Sequence, residues 1–440
     1  MMNSSLVLLI CFVLLFGFAS AEAREASDSS GLLVVKAPKL YIGDGRVIEN
    51  GAVVIKDGKI IQVGPLSEAP QGAAEIKCPS GVVTPGLIDA SSTAGLIDKY
   101  SWTEHSSEVV SHLNVLDAVD MRSRDFERLA RQGVTTVYVT PGSGSVVGCR
   151  GCVLKTAGPA GERIVVSRGS VKATMGRDSY RRGGWNRGPR GRVDFWTRRP
   201  TTRMGVTWIF REACFEARKY RDARTKPGAA TVPHDAALES LAAVLDGQVR
   251  LRVQARKEHD IWSAIRLCKE FGVDLVLEEG TEAYSCVPEL KEYGVPVVYG
   301  PVFAYPTGFR AGSGEANEPC LNTAGILHEA GLLFALTASD LSGEGALPHQ
   351  AGFAVRAGLP RAAALRAVTA APAEILGLSD RIGLLEPGYD ADLVLWSGEP
   401  FLPTTRPIAV VVGGEPVHVA GITGAELRVL QRAAKESPEK

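Results

Sequence analysis

The chain has 440 residues with 49 basic and 49 acidic side chains, so its formal net charge is zero. Apolar residues make up 45% of the chain and charged residues 22%, which excludes a disordered, collagen-like or coiled-coil protein. Zero net charge removes the general electrostatic case for binding nucleic acid, and we expect no such partner.

The N-terminus has the pattern of a signal peptide. Leu6 to Phe18 form an apolar run, and Ala19-Ser20-Ala21 follow as a small-residue cleavage site. The run is shorter than the roughly 20 residues that span a bilayer. We therefore expect residues 1–21 to be a signal peptide, residues 22–31 a flexible leader, and the mature protein to be exported, periplasmic or secreted, without a stable membrane span.

Both ends of the mature chain show short strand patterns. Asp57-Gly58 separates two of them and predicts a β-hairpin. A similar strand pair recurs at Ala391–Trp396 and Ile408–Val412. We predict one composite β-sandwich from residues 32–84 and 385–420, with 421–440 as a C-terminal tail.

The middle of the chain, residues 85–384, alternates strand and helix patterns. The number of repeated units predicts an α/β fold with a (β/α)8 TIM-like barrel of parallel strands. Residues 157–204 are Gly- and Arg-rich and predict a loop insertion. Within 162–204 there are 12 basic and 3 acidic residues, so this loop is either a lid or subunit contact, or a grip for an anion.

In such barrels the chemistry lies where strands end and the following loops begin. Two strand ends carry polar residues separated by one residue, a spacing that directs both side chains to the same side of an extended segment. The strand-end candidates are Ser91, Thr93, Lys155, Gln254, Arg256, Glu279 and Asp340.

Three segments carry a family resemblance. Val83 to Ala90 reads VTPGLIDA, Ala371 to Leu378 reads APAEILGL, and Arg381 to Val394 reads RIGLLEPGYDADLV. Together they resemble the amidohydrolase superfamily, in its exported branch related to imidazolonepropionase-like amidohydrolases. The resemblance implies a metal-dependent-hydrolase barrel that uses zinc or another divalent ion to hydrolyse non-peptide C–N bonds.

The sequence departs from that family at the metal-ligand positions. Where the family has histidines, this chain has Ser91, Thr93, Gln254, Arg256 and Glu279. Asp340 keeps the matching acid, and Lys155 stands where the branch has a lysine. Neutral oxygens are weak zinc ligands, and an arginine repels a cation. We expect no metal cofactor, and we expect Arg256 to fill the former metal space and pair with Asp340 or Glu279.

Three functions follow from this pattern. The chain is a degenerate amidohydrolase that binds an amide-like small molecule without turnover. Or it is a hydrolase of non-peptide C–N bonds with a non-standard site, in which Asp340 is the general base and Arg256 or Lys155 the electrostatic stabiliser. Or it is a non-catalytic extracytoplasmic subunit that assembles, as a homo- or hetero-oligomer, with an active relative.

A histidine and a cysteine pair are further candidates for chemistry. His349 lies nine residues past Asp340 and is the histidine to test as a replacement acid or base. Cys149 and Cys152 form a CxxC pattern, which we interpret as packed thiols or one local disulfide, because no second pair exists to complete a zinc site.

Overall fold

The fold is known from a computed structural model. It describes residues 31–65, 70, 73–77, 79–97, 104, 107–179, 199–225, 232–303, 320–339, 346–421, 426–428 and 431. The predicted signal peptide, nearly all of the leader, Asp340 and most of the C-terminal tail lie outside these residues. Within them, no helix combines the length and apolar character needed to cross a membrane.

Eighteen strands are described. They are β1 (Leu32–Tyr41), β2 (Val47–Lys56), β3 (Lys59–Pro65), β4 (Ala74–Lys77), β5 (Val82–Pro85), β6 (Leu87–Ser92), β7 (Val134–Val139), β8 (Val147–Arg150), β9 (Cys152–Lys155), β10 (Ile164–Val166), β11 (Val171–Thr174), β12 (Leu251–Ala255), β13 (Leu275–Glu279), β14 (Val297–Tyr299), β15 (Phe334–Leu336), β16 (Leu393–Trp396), β17 (Pro407–Val412) and β18 (Glu415–Val419).

Nine α-helices are described in the same part of the chain. They are α1 (Arg124–Arg131), α2 (Arg203–Arg224), α3 (Ala236–Leu245), α4 (Glu258–Phe271), α5 (Val287–Glu292), α6 (Thr323–Glu329), α7 (Leu347–Arg356), α8 (Arg361–Ala367) and α9 (Ala370–Leu376).

Strands from both ends of the chain share one sheet. Its order is β18-β17-β16-β5-β1-β2-β3, with β4 beside β1. The link is β5, which pairs parallel with β1 and antiparallel with β16. At the β2–β3 hairpin, Asp57 and Gly58 have φ of 49° and 77°, as a tight two-residue turn between antiparallel strands requires.

The remaining strands build the barrel. β6 pairs parallel with β7, and β11 to β15 form a parallel run. Residues 147–155 connect these two groups, because β8 pairs with β11 while β9 pairs with β7. On the other side, an isolated bridge joins Ser92, at the end of β6, to Ser339 after β15. The TIM-like barrel that the sequence predicts is therefore confirmed.

One barrel strand runs opposite to expectation. The segment formed by β8 and β9 is antiparallel to both neighbours, whereas the sequence predicts parallel units throughout. Only residues 140–146 separate β7 from β8. A parallel crossover needs a dozen or more residues, so the chain returns as a hairpin instead.

The description of residues 157–204 as a loop insertion is wrong in part. This range contains β10, the barrel strand β11 and the start of α2. In β11, Lys172 and Thr174 alternate with Val171 and Ala173, and all four are buried. The alternation is that of a strand, but it lasts only four residues and is easily missed in a basic stretch.

Candidate functional site

The barrel interior at β12 is polar. Leu251, Val253 and Ala255 pack in the large core between strands and helices. Because side chains alternate along a strand, Arg252 and Gln254 point the other way, into the barrel, and each is only 1% exposed. The charge on Arg252 is thus placed where water does not reach it.

A buried ion cluster holds Arg252. Its Nε donates to Glu278 Oε1 at 2.6 Å, and Lys172 Nζ lies 3.0 Å from Glu278 Oε2. Lys172 also donates to Thr140 Oγ1 at 3.1 Å. Burial raises the pKa of Glu278, but Lys172 and Arg252 outweigh it, and the net pKa is lowered. Glu278 is therefore a carboxylate held by two cations.

Arg252 also ties this cluster to the first two barrel strands. Its Nη2 donates to the Ala90 carbonyl at 2.5 Å, and its guanidinium carbon lies 4.0 Å from the centre of the Tyr138 ring. Stacking on an aromatic face suits the weakly hydrated guanidinium. Sequence reasoning missed Arg252, although it lies two positions before Gln254, on the same face of the strand.

Asp89 is a second buried acid, on β6. It accepts hydrogen bonds from the Thr337 hydroxyl, from Ser91 N at 3.1 Å and from Ala338 N at 3.2 Å. Burial raises the pKa of Asp89 to about 7, against the opposing effect of these three donors. Asp89 thereby fastens the ends of β6 and β15 to each other at the position of the bridge.

The barrel mouth is occupied by an ion network around Arg256. Its Nε donates to Glu279 Oε2, and its Nη2 lies 3.2 Å from Glu279 Oε1 and 2.8 Å from Asp178 Oδ2. Glu279 ends β13 with φ of 67°, which turns the chain toward Gly280. Burial lowers the pKa of Arg256, but the two carboxylates reverse this and the net pKa is raised. The predicted pairing of Arg256 with Glu279 is present.

Gln254 contacts the same carboxylate. Its Nε2 donates to Asp178 Oδ2 at 3.0 Å, while its buried Oε1 has no hydrogen-bond partner among the described residues. Asp178 lies in a short 3-10 turn after β11. Sequence reasoning missed it, because it falls in the stretch interpreted as an insertion and has no family motif around it.

Ser91 and Thr93 lie at the end of β6, which is separated from β12 by β13 to β15 around the barrel. Ser91 is buried, and its carbonyl accepts from Thr337 Oγ1 at 2.6 Å. Thr93 is half-buried. Neither has a described contact with Arg256.

Lys155 lies at the other end of the barrel, so its predicted place at the mouth is wrong. Because β9 is antiparallel to β7, Lys155 is paired with Thr136, close to the start of β7. Its Nζ contacts Asp392 Oδ2 and lies 3.0 Å from Asp390 Oδ2. Lys155 joins the barrel to the strands at the C-terminal end of the chain.

The remaining candidates are Asp340, His349 and the cysteine pair. Asp340 is outside the described residues, and His349 is exposed on α7. The six described cysteines are free thiols, including Cys149 and Cys152 in β8 and β9. Burial raises the pKa of Cys149 to about 11 and that of Cys152 to about 12, which suits packed thiols.

The residues at the mouth do not fit a zinc ion. Gln254 offers a neutral amide, and the carboxylates of Glu279 and Asp178 are both bound by a guanidinium with a permanent charge. Across the described segments, no three His, Cys, Asp or Glu side chains are grouped as metal ligands. A cation entering the mouth would have to displace Arg256 from both carboxylates.

The comparisons with known proteins are decisive for the family. The model of the amidohydrolase family matches residues 82–420, which is most of the chain. This chain belongs to the amidohydrolase family. The match runs from β5 through the barrel to the strands at the C-terminal end, so it includes the polar interior and the mouth.

One relative and two solved structures are similar to this chain in sequence or in fold. Amidohydrolase tasK of Hapsidospora irregularis is 26% identical over 398 residues, which cover 85% of this chain and 40% of tasK. The chain thus spans less than half the length of that relative. The crystal structure of an amidohydrolase from Thermotoga maritima MSB8 is 30% identical, with a TM-score of 0.79 over 88% of this chain and 100% of that one. The crystal structure of a putative prolidase from Bifidobacterium longum shares the fold, with a TM-score of 0.53 and 19% sequence identity. The match covers 92% of this chain and 98% of that chain.

Proposed function

We propose that this amidohydrolase-family chain binds an amide-bearing small molecule at the barrel mouth without a catalytic metal, and that its C–N hydrolysis is weak or absent. The observation that carries the proposal is the placement of Arg256 between Glu279 and Asp178. A catalytic divalent ion needs about three protein ligands and an open position for water. Here the permanently charged guanidinium of Arg256 binds both carboxylates instead of a metal ion.

Gln254 supports an amide as the ligand. Its Nε2 donates to Asp178 Oδ2, and its buried Oε1 lacks a hydrogen-bond partner among the described residues. An amide N–H supplies that donor. Leaving such an acceptor unsatisfied costs about 1–3 kcal/mol, so a ligand that satisfies it gains a corresponding advantage over one that cannot.

The test of the metal-free site is elemental analysis of the purified full chain after incubation with zinc and dialysis. We expect the wild type to retain no stoichiometric transition metal. Gln254→His with Arg256→His removes the guanidinium and restores two imidazoles at the family's spacing, so this variant should gain zinc. Ile61→His with Val63→His, the same spacing on β3, is the matched control and should not. Stoichiometric metal in the wild type, lost on Gln254→Ala, would contradict the proposal.

The test of ligand binding is a thermal-shift and calorimetric survey with cyclic amides such as hydantoin and with simple dipeptides. Binding that is weakened about 10-fold or more by Gln254→Leu supports the site, since one lost hydrogen bond of about 1.4 kcal/mol has that effect. Steady turnover of such an amide, abolished by Asp340→Asn, would instead favour a hydrolase with Asp340 as general base.

A further inference from the structure

Two neighbouring hydrogen-bond acceptors at the barrel mouth have no partner. Gln254 Nε2 donates to Asp178 Oδ2 at 3.0 Å, and Arg256 Nη2 lies 2.8 Å from the same oxygen. Both donors are therefore directed at one oxygen of the carboxylate. Among the residues that the structure describes, neither the other oxygen, Asp178 Oδ1, nor the amide oxygen, Gln254 Oε1, has a hydrogen-bond partner.

The orientation of the Gln254 amide follows from its partner. A carboxylate oxygen accepts hydrogen bonds and cannot donate them, so the amide must present its nitrogen to Asp178. Turning the amide over would bring two acceptor oxygens within 3.0 Å of each other. Gln254 Oε1 is consequently the atom without a partner, and only a donor satisfies it. An acceptor on a ligand would find no partner at either oxygen.

The two acceptors differ in exposure and in charge. Asp178 lies in the turn after β11 with 34% of its side chain exposed, whereas Gln254 is only 1% exposed. A ligand that enters the mouth therefore meets the charged acceptor first and the neutral, buried one second. An unsatisfied buried acceptor carries a desolvation cost, which a ligand removes only if it brings a donor to the amide.

We propose that the ligand presents a planar N–H donor cation, an amidinium or a guanidinium, to Asp178 Oδ1 and Gln254 Oε1. The inference rests on the ligand site proposed above and names the chemical group that occupies it. Such a cation has several N–H donors fixed in one plane and no acceptor, so one N–H bonds the carboxylate and another the amide. Hydrogen bonds from a charged donor to a carboxylate are about twice as strong as neutral ones.

Other planar groups match these two acceptors less well. A neutral primary amide has N–H donors, but it lacks the charge and brings an acceptor for which Asp178 and Gln254 supply no donor. A carboxylate brings acceptors alone, and its negative charge is repelled by that of Asp178. The expected order of affinity is therefore amidinium, then amide, then carboxylate.

The first experiment compares benzamidine, benzamide and benzoate as ligands of the full chain by calorimetry near pH 7. The three compounds share a ring and a planar group of similar size, and they differ in charge and in the number of donors. We expect benzamidine to bind at least about 10-fold more tightly than benzamide, as one additional hydrogen bond gives. Benzoate should bind most weakly.

The second experiment tests the role of the Asp178 carboxylate. Asp178→Asn keeps the shape and removes the charge, so the preference for benzamidine over benzamide should fall to about 2-fold or less. The matched control is Asp246→Asn. Asp246 is 38% exposed, ends α3 and binds Arg221, so this variant should keep the full preference. Because the preference is a ratio measured on one preparation, a partial loss of folded protein does not change it.

The outcomes separate this inference from the proposed function. Benzamide or benzoate binding as tightly as benzamidine, or a preference that survives Asp178→Asn, would overturn the inference. Amide binding that still depends on Gln254 would in that case leave the proposed amide site in place. If none of the three compounds and no amide of the survey binds, the proposed site and the inference both fail.

Discussion

The guanidinium of Arg256 and the carboxylate of Glu279 meet through two nitrogens and two oxygens, with Nη2 3.2 Å from Oε1. Glu279→Gln keeps the shape and removes the charge. Since Arg256 retains Asp178, we expect a loss of about 1–3 kcal/mol in unfolding free energy, measured by urea titration. The control Glu127→Gln breaks the exposed Arg131 pair on α1 and should cost at most about 0.5 kcal/mol. Equal losses in the two variants would contradict a buried role for the Arg256 pair.

Asp89 should make stability fall as pH rises. Burial raises its pKa to about 7 in the folded chain, so between its ordinary value and pH 7 the folded state binds more protons than the unfolded state. The unfolding free energy then decreases by up to about 1.4 kcal/mol per pH unit. Urea titrations from pH 4 to 8 should show this decline flattened in Asp89→Asn. The exposed Asp57→Asn should keep it.

Glu278 should act in the opposite direction. Its lowered pKa means that the stability it contributes is present above its unfolded pKa and is lost as pH falls through its folded pKa. Glu278→Gln leaves Lys172 and Arg252 without their carboxylate and should cost about 3–5 kcal/mol near pH 7. The difference from wild type should shrink toward pH 3. A difference that is constant with pH would exclude the charge as its cause.

Lys155 should contribute to the stability of the fold and not to ligand binding at the barrel mouth. Lys155→Met leaves the buried Asp392 without its cation and should cost about 3–5 kcal/mol. Adding Asp392→Leu removes the stranded charge, so the double variant should be less destabilised than the sum of the single ones. Amide binding by the folded Lys155→Met chain should match the wild type. A selective loss of that binding would return Lys155 to the site.

Apolar period and turn residues are enough to predict much of the fold. The hairpin at Asp57-Gly58 and the βα units from β12 onward are local patterns, and each has a period that a short window contains. The antiparallel direction of the β8–β9 segment cannot be predicted from a local pattern of this kind. It follows from the length of the connection at 140–146 and from pairing with β11, a strand of only four residues.

The residues of the candidate site also differ in whether the sequence predicts their position. Gln254, Arg256 and Glu279 are at the ends of neighbouring parallel strands, so their proximity follows from topology. Asp178 reaches them from a turn with no motif, and only the folded path of the chain brings it there. The sequence misplaces Lys155 because strand direction decides which end of the barrel a strand terminus occupies.

The pairing of β5 with β16 has a consequence for synthesis. The chain between Pro85 and Leu393 must be translated before β5 can acquire its second neighbour. At about 5–20 residues per second this takes roughly 15 to 60 s. Throughout that interval one edge of β5 is unpaired, because only its pairing with β1 can form. Binding by chaperones should therefore concentrate on the first sheet rather than on the barrel helices.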